Sequence, residues 1–550
     1  MQGQTFSVLN KKGLTESQNS IALSFSQKAI GQINYFESTD VFIQLNSISI
    51  DLGELYFEFS GEAKFIKHKD YFSWEGYDQK LKAHVELYCD EGLIYGALYF
   101  NSKVFQVKAI DESVFAIYES LRTAEEYDCV GLNHNLPTED PGKEESYARA
   151  GNGECFVRVM VAYTNDVDLA GRDFHAIAKA RILQMNTILN NSAINHEVEL
   201  CRVYDFDFDE PAGATHADLV TTFRDHPDLQ FQRNLYDADV VVVIVSFGSG
   251  RAVDIGVSSG DAYCTVSWAN FDDADTKTFA HEIGHLYGAK HNTQAHDNYP
   301  IDDSHGYNAL INIGEDWRTV MSYRHACNCD RINYFSNPNV DYPRTGSPTG
   351  EDPNVHDAAG MIEGRGGDMA DFRTCDLNKI LTSDDLANQD DYAYLYGHST
   401  LRTTGNYNVR NGAHLDMRAS NNVDLYNGLT IHNGAQLRIY LGSCGSNIPG
   451  RIIQEENGNP ISENQGHSNH LRSGTKEVFV NALRVMPNPI REEAFIRFEL
   501  TDPSPVYIHI NDSNGKVLLN LVNGTLYDQG PHSLSISGKD FPNGMYYVNI

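Results

Sequence analysis

The chain has 550 residues, 75 of them acidic and 42 basic, for a formal net charge of −33. That length suits several domains at about 100–200 residues each. The charge excludes nucleic acid or an anionic membrane as the partner, because both are held by a basic face.

No apolar run reaches the ~18 residues needed to span a bilayer. Met1-Gln2-Gly3-Gln4 opens no basic-then-apolar signal segment, and the expectation is that one has been removed ahead of it. Residues 81–87, 92–100 and 104–107 are short β-like runs with turn residues between them, which predicts an all-β unit over 1–132. Residues 133–153 are polar, with Pro137 and Pro141, and read as an exposed linker. Exposed linkers are where proteases cut, so maturation is expected near Lys143 or Arg149. The nine cysteines are odd in number, so at least one lies outside any intrachain disulfide. Cys327 and Cys329 are expected to brace a loop through other cysteines.

From residue 156 the pattern changes. Residues 156–163 form a β-rich apolar run, and Ala178, Ile182, Met185 and Leu189 follow at helical spacing. A strand over 198–204 and a helix over 216–224 come next. Residues 240–245, Val-Val-Val-Val-Ile-Val, are apolar on both faces and predict a central buried strand. A further strand is expected over 262–268, then a helix from about Asp275. Asp205-Phe206-Asp207-Phe208-Asp209 reads as a strand with one acidic solvated face. A calcium (Ca2+) loop there lacks the glycine-bearing ligand pattern, which leaves calcium without support.

The expected helix carries His281-Glu282-Ile283-Gly284-His285-Leu286-Tyr287-Gly288-Ala289-Lys290-His291. His281 and His285, four residues apart, project from one helix face and can aim two imidazoles at one metal. Glu282 can take a proton from metal-bound water rather than bind the metal. Gly288 reaches the left-handed conformation cheaply, ends the helix and lets His291 return as a third ligand. A bare H-E-x-x-H arises by chance in a chain this long at roughly the few-percent level. The added glycine and third histidine lower that several-hundredfold.

The eleven residues resemble the signature of the metzincin clan of zinc endopeptidases, and Thr319-Val320-Met321-Ser322-Tyr323 looks like its Met-turn, in which Met321 floors the three histidines. The resemblance implies an α/β catalytic domain over 154–376 with a twisted mixed sheet, a zinc helix and one catalytic Zn2+. His281, His285 and His291 would be the metal ligands and Glu282 the base. Tyr323 is either an oxyanion donor or fifth ligand, or purely structural. Asn292, after the third histidine, matches none of the common subfamilies and leaves that assignment open. In the clan the last strand before the zinc helix, here 262–268, forms the cleft edge to which substrate adds. Residues 331–338 would wall the pocket beyond the scissile bond, and a helix over 353–373 would close the domain. Trp74-Glu75-Gly76, residues 92–96 and residues 115–119 resemble the propeptide that precedes reprolysin-like peptidases. In such a precursor the Cys129 thiolate could replace the catalytic water, which resembles a cysteine switch. The flanking residues do not match a strict switch motif, and a disulfide with Cys89 or another cysteine is the alternative.

Asn411-Gly412-Ala413-His414-Leu415 recurs as Asn433-Gly434-Ala435-Gln436-Leu437, a period of 22, which suggests a β-solenoid-like spacer over 377–444. Residues 445–475 read as a linker. Over 476–550 alternating runs predict an all-β unit, with Asn514-Gly515 as a hairpin turn. Met486-Pro487-Asn488-Pro489, residues 511–516 and residues 543–548 resemble the C-terminal sorting domain of the type IX secretion system, an Ig-like sandwich that sends cargo through a Gram-negative outer membrane; that domain's pattern normally runs on for a further strand past Ile550. These resemblances imply a secreted zinc metalloendopeptidase acting on proteins or peptides, made as a latent precursor. The alternative is a surface adhesin with a vestigial metalloprotease domain.

Overall fold

The computed structural model describes most of residues 3–120, all of 156–293, residues 302–310, 316–323 and 329–373, and shorter runs within 378–441 and 480–549. Cys129, the 133–153 linker with Lys143 and Arg149, and the 445–475 linker lie outside the described residues. The described chain divides into two compact units, the first holding residues 1–375 with 386–395 and 411–414.

The first unit opens with β1 (Gly3–Phe6), β2 (Val8–Leu9), α1 (Glu16–Phe25), β3 (Ala29–Glu37), β4 (Ser47–Asp51), β5 (Tyr56–His68), β6 (Tyr71–Asp78), β7 (Ala83–Asp90), β8 (Leu93–Phe100), β9 (Lys103–Asp111) and β10 (Val114–Ser120). They form one sheet in the order β1-β4-β5-β6-β7-β8-β9-β10-β3-β2. One face packs Phe72, Trp74, Val85, Leu87, Leu98 and Val107 into a core of its own. Cys89 belongs to that core as a free thiol, so the disulfide between Cys89 and Cys129 is not formed. Cys329 is disulfide-bonded.

The second layer set is β11 (Phe156–Tyr163), α2 (Phe174–Asn191), β12 (Glu197–Asp205), α3 (His216–Asp225), α4 (Pro227–Leu235), β13 (Val240–Val245), β14 (Gly250–Ala252), β15 (Tyr263–Ser267), α5 (Trp268–Asp272), α6 (Thr278–Tyr287) and α7 (Ala358–Ala370). The strands run β14-β15-β13-β11-β12, parallel except for the antiparallel β14. This is a mixed sheet. β13 is fully buried at its centre, as its unbroken β-branched run requires. Ala178, Ile182, Met185 and Leu189 of α2 are all buried in the core under the sheet. Asp207 and Asp209 are exposed and both accept from Asn165 Nδ2 at 3.0 Å, while Phe206 is buried.

The edge of this sheet corrects the sequence expectation. β15, the last strand before the motif helix, is flanked by β13 on one side and β14 on the other. The terminal strand is the glycine-led β14, three residues long and too short to leave a period-2 signal. At the opposite side Val203 and Arg202 of β12 pair with Tyr392 and Ala393.

The two layer sets share a core. Tyr71, Tyr88, Tyr95, Ala97, Tyr99, Val104 and Ala109, from the second face of the N-terminal sheet, cluster with residues of α2 and α6. Charge bridges the same junction. Asp272 receives Arg172 at 2.9 Å, Lys108 at 3.2 Å and Lys28 at 3.3 Å. Glu86 accepts from Lys277 at 3.1 Å.

Burial pushes the Glu86 carboxyl up from its ordinary value to about 7, with Lys277 opposing and Glu75 adding to the rise. The folded chain therefore holds a proton there that the unfolded chain has released above about pH 4.3. The stability contributed by this protonation is complete below that pH and is lost as pH climbs through 7. Thermal melts of wild type and Glu86→Gln between pH 4 and 8 are expected to diverge, with wild type losing ground as pH rises; parallel curves would refute the assignment.

In the second unit, residues 378–381 pair in parallel with 400–403, and 408–409 with 430–431, each pairing displaced by 22 residues. Two three-stranded antiparallel sheets follow, and Ile496, Phe498, Val506, Ile508, Ile510, Val522 and Ile536 form their common core. Among the described residues no helix is long and apolar enough to cross a membrane.

Candidate metal centre and active site

α6 starts at Thr278, three residues later than its sequence suggests, because Lys277 adopts φ +54° and turns the chain into the helix. It stops at Gly288, whose φ of +112° lets its N–H and that of Ala289 close on His285 and Gly284 carbonyls at 2.9 Å. The chain then reverses. Lys290 N–H donates to the Ser304 carbonyl at 2.8 Å, and Gly306 N–H to the Lys290 carbonyl at 3.0 Å. His305 Nδ1 adds a bond to the His291 carbonyl at 2.6 Å. His291 is thereby carried back against the helix.

His281, His285 and His291 are all buried, and their ligand nitrogens lie within 4.8 Å of one another. The Nε2 atoms of His281 and His285 stand 3.2 and 2.9 Å from Nε2 of His291. Backbone carbonyls decide the tautomers. His281 Nδ1–H donates to Val320 and His285 Nδ1–H to Ala289, each at 2.8 Å, which turns both Nε2 lone pairs inward. Three converging lone pairs repel unless a cation lies between them. Tetrahedral zinc separates its ligand nitrogens by roughly 3.3 Å, so the donor set and its spacing fit that ion. Burial, the other two imidazoles and Arg331 hold His281 well below the usual histidine range, hence neutral as a ligand must be.

The Met-turn is built under this set. Val320 supplies the carbonyl that orients His281, and Met321 is fully buried below the helix. A Cβ on Gly284 would lie 2.7 Å from Met321 Sδ and 3.0 Å from Phe335, so glycine lets that floor pack close and a larger residue would make Met321 shift. Tyr323 packs its ring 3.9 Å from that of His291, centroid to centroid. Its N–H donates to Asn292 Oδ1 at 3.0 Å, so the unusual residue after the third histidine ties the turn's exit to the third-ligand segment.

Glu282 is fully buried one residue from the first ligand. Cys264 lies near enough to feel its charge, and burial followed by Glu282 pushes that thiol up, away from nucleophilic use. The residue that sequence reading missed is Gly250. A Cβ there would meet Glu282 Oε1 at 2.7 Å, Thr278 Cγ2 at 2.8 Å and Glu282 Cγ at 2.9 Å. The edge strand thus touches the carboxylate through bare backbone. Gly250→Ala is expected to displace Glu282 and lower kcat by about tenfold to 10²-fold with metal content unchanged, since an ångström of misplacement costs that much. Wild-type kcat in the variant would remove the constraint.

Residues 153–336 match the profile of Metallo-peptidase family M12, and residues 484–550 that of the Secretion system C-terminal sorting domain. A peptidyl-Asp metalloendopeptidase of Xanthomonas campestris is 33% identical over 214 residues, covering 37% of this chain and 49% of that protein. One of Stenotrophomonas maltophilia is 33% identical over 215 residues, covering 37% and 50%. The chain spans about half the length of these relatives. A solved chaperone–substrate complex shares 16% identity at a TM-score of 0.33, covering 51% of this chain and 39% of that one, too little to carry an argument. With three converging histidines and the buried Glu282 and Met321 inside the first match, the chain carries a reprolysin-like metallopeptidase domain of family M12 and, at its C-terminal end, a secretion system sorting domain.

Proposed function

We propose that the protein is a secreted zinc endopeptidase that cuts peptide bonds in proteins, is made as a latent precursor and leaves the cell through the type IX secretion machinery. The observation that carries this reading is the convergence of His281, His285 and His291 beside the buried Glu282. Zinc held by the three imidazoles supplies Lewis acidity to water and to the scissile carbonyl. Glu282 takes the proton of the attacking water and hands it to the leaving amine. Substrate lies along β14 as an added strand. Tyr323 donates to the developing oxyanion; unchanged kcat in Tyr323→Phe would take it out of the mechanism. The names of the relatives support cleavage at aspartyl residues.

Residues 1–132 serve as the propeptide domain and 133–153 as the activation segment, with Cys129 the candidate thiolate that holds the precursor latent. The displacement of 22 residues in the parallel pairings supports a solenoid-like spacer over 377–444. The two sheets on one core support an Ig-like sandwich over 476–550, beyond a linker at 445–475. The final address is the exterior of the outer membrane or the medium.

The test is digestion of a denatured protein by the full chain, before and after it is nicked within 133–153. Turnover after the nick, lost to a chelator and restored by zinc, with product ends mapping to aspartate, supports the reading. Bound zinc without turnover in either form would favour the adhesin alternative.

A further inference from the structure

The N-terminal sheet carries two buried carboxyl groups that bond across to the peptidase domain. Glu75 on β6 and Glu86 on β7 are direct cross-strand partners, and both are buried. Two carboxyls facing each other across a strand pair repel when both are charged, and burial pushes both of these above the ordinary carboxyl value. Glu86 accepts from the Tyr88 and Tyr99 hydroxyls of its own sheet at 3.3 and 3.4 Å, and the remaining partners come from the peptidase domain. Asn333 Nδ2 donates to Glu75 at 2.7 Å and Asn191 Nδ2 to the same oxygen at 3.3 Å. Lys277 Nζ reaches Glu86 and also donates to the Tyr99 hydroxyl at 2.9 Å.

Those partners sit at mechanically sensitive places. Lys277 is the left-handed residue that starts α6, where no side chain caps the helix, and its ammonium is completely buried. Asn333 follows the short strand Asp330–Arg331, and Arg331 in turn donates to the carbonyls of Thr276 and Ser322 on either side of the site. Further bonds tie the same surfaces. Lys179 pairs with Asp90 at 2.7 Å, Gln106 Nε2 donates to Asp275 at 2.6 Å, and Thr187 bonds Ser73 at 2.7 Å. None of these partners is a metal ligand or Glu282. β7 is buried along its whole length, one face in its own core and the other against α2, so separation would expose a row of tyrosines.

We infer that the N-terminal domain is a resident subunit of the folded peptidase, which stays bound without a covalent link after the chain is cut within 133–153, and whose Glu75–Glu86 pair acts as a positioning element for the metal-bearing helix through Lys277 and Asn333. The bulk of the domain does not leave.

The test uses the full chain with a site for a sequence-specific protease inserted within 133–153, in a Glu282→Gln background that prevents self-digestion. After complete cutting, both fragments are expected to co-elute as one species on size exclusion at micromolar concentration. An N-terminal fragment that elutes alone, from a remainder that stays folded, overturns the inference. A second arm follows zinc loss to a chelator from the uncut protein. Lys277→Met and Glu86→Gln are expected to lose zinc at least tenfold faster than wild type, and Lys277→Arg to restore retention; equal rates in folded variants would overturn the positioning role. If Lys277→Met fails to fold, the co-elution arm still decides. Co-elution requires no peptide turnover, so this inference and the peptidase reading fail separately.

Discussion

Glu282→Gln is expected to lower kcat/KM on a protein substrate by about 10²–10⁴-fold, the range a positioned general base contributes, or roughly 3–5 kcal/mol of barrier. Glutamine keeps the shape of a side chain that is fully buried against the backbone of Gly250, so the fold and the metal content should be unchanged. What it loses is the ability to accept a proton from water. Equal losses in kcat and kcat/KM would identify an interaction made in the transition state. A variant that keeps more than a tenth of wild-type turnover would mean that another group does the proton transfer. Among the described residues the cluster able to hold a metal consists of the three histidines, with no carboxylate in it.

Asp272→Ala is expected to cost about 3–5 kcal/mol, the usual penalty for breaking a buried ion pair by removing one partner. Burial alone would raise this carboxyl, but Arg172, Lys108 and Lys28 outweigh it and hold it well below the usual carboxylate range. Lys108 is almost completely buried and keeps a bond to Asp273 at 2.9 Å, which places the cost toward the lower end of that range. The sign with pH follows from the direction of the shift. A carboxyl held low in the folded chain stabilises it above the unfolded value, near pH 4, and that contribution is lost as pH falls further. Urea midpoints at pH 7 and pH 3 check both claims. A loss under about 1 kcal/mol at pH 7, or the same loss at both values, would refute the ion-pair account.

The candidate metal site was legible because its pattern is local. His281, Glu282 and His285 sit within five consecutive residues, and helical geometry fixes how the two histidines project. The return of His291 also follows from local rules, since Gly288 takes the +112° φ that ends the helix and reverses the chain. β13 was legible for a similar reason: six β-branched residues in a row can only be a strand buried on both faces. β14 was not, because three residues beginning with glycine carry no period, and their importance lies in what they touch. The bonds by which His305 braces His291 and Asn292 holds the Met-turn exit were not legible, because their partners are distant in the chain.

The N-terminal region marks the boundary between the two kinds of information. Its alternating runs announced a β-sheet, since alternation reports one buried face and is read one residue at a time. That the other face is also buried, that Glu75 and Glu86 oppose each other, and that Lys277 and Asn333 answer them, depends on register and on docking. Residue types and spacings settled which groups can bind a metal, move a proton or turn the chain. Tertiary structure decided which backbone lies against Glu282, which strand forms the edge and what holds the start of the metal-bearing helix, because burial and charge pairing arise between segments that no local pattern connects.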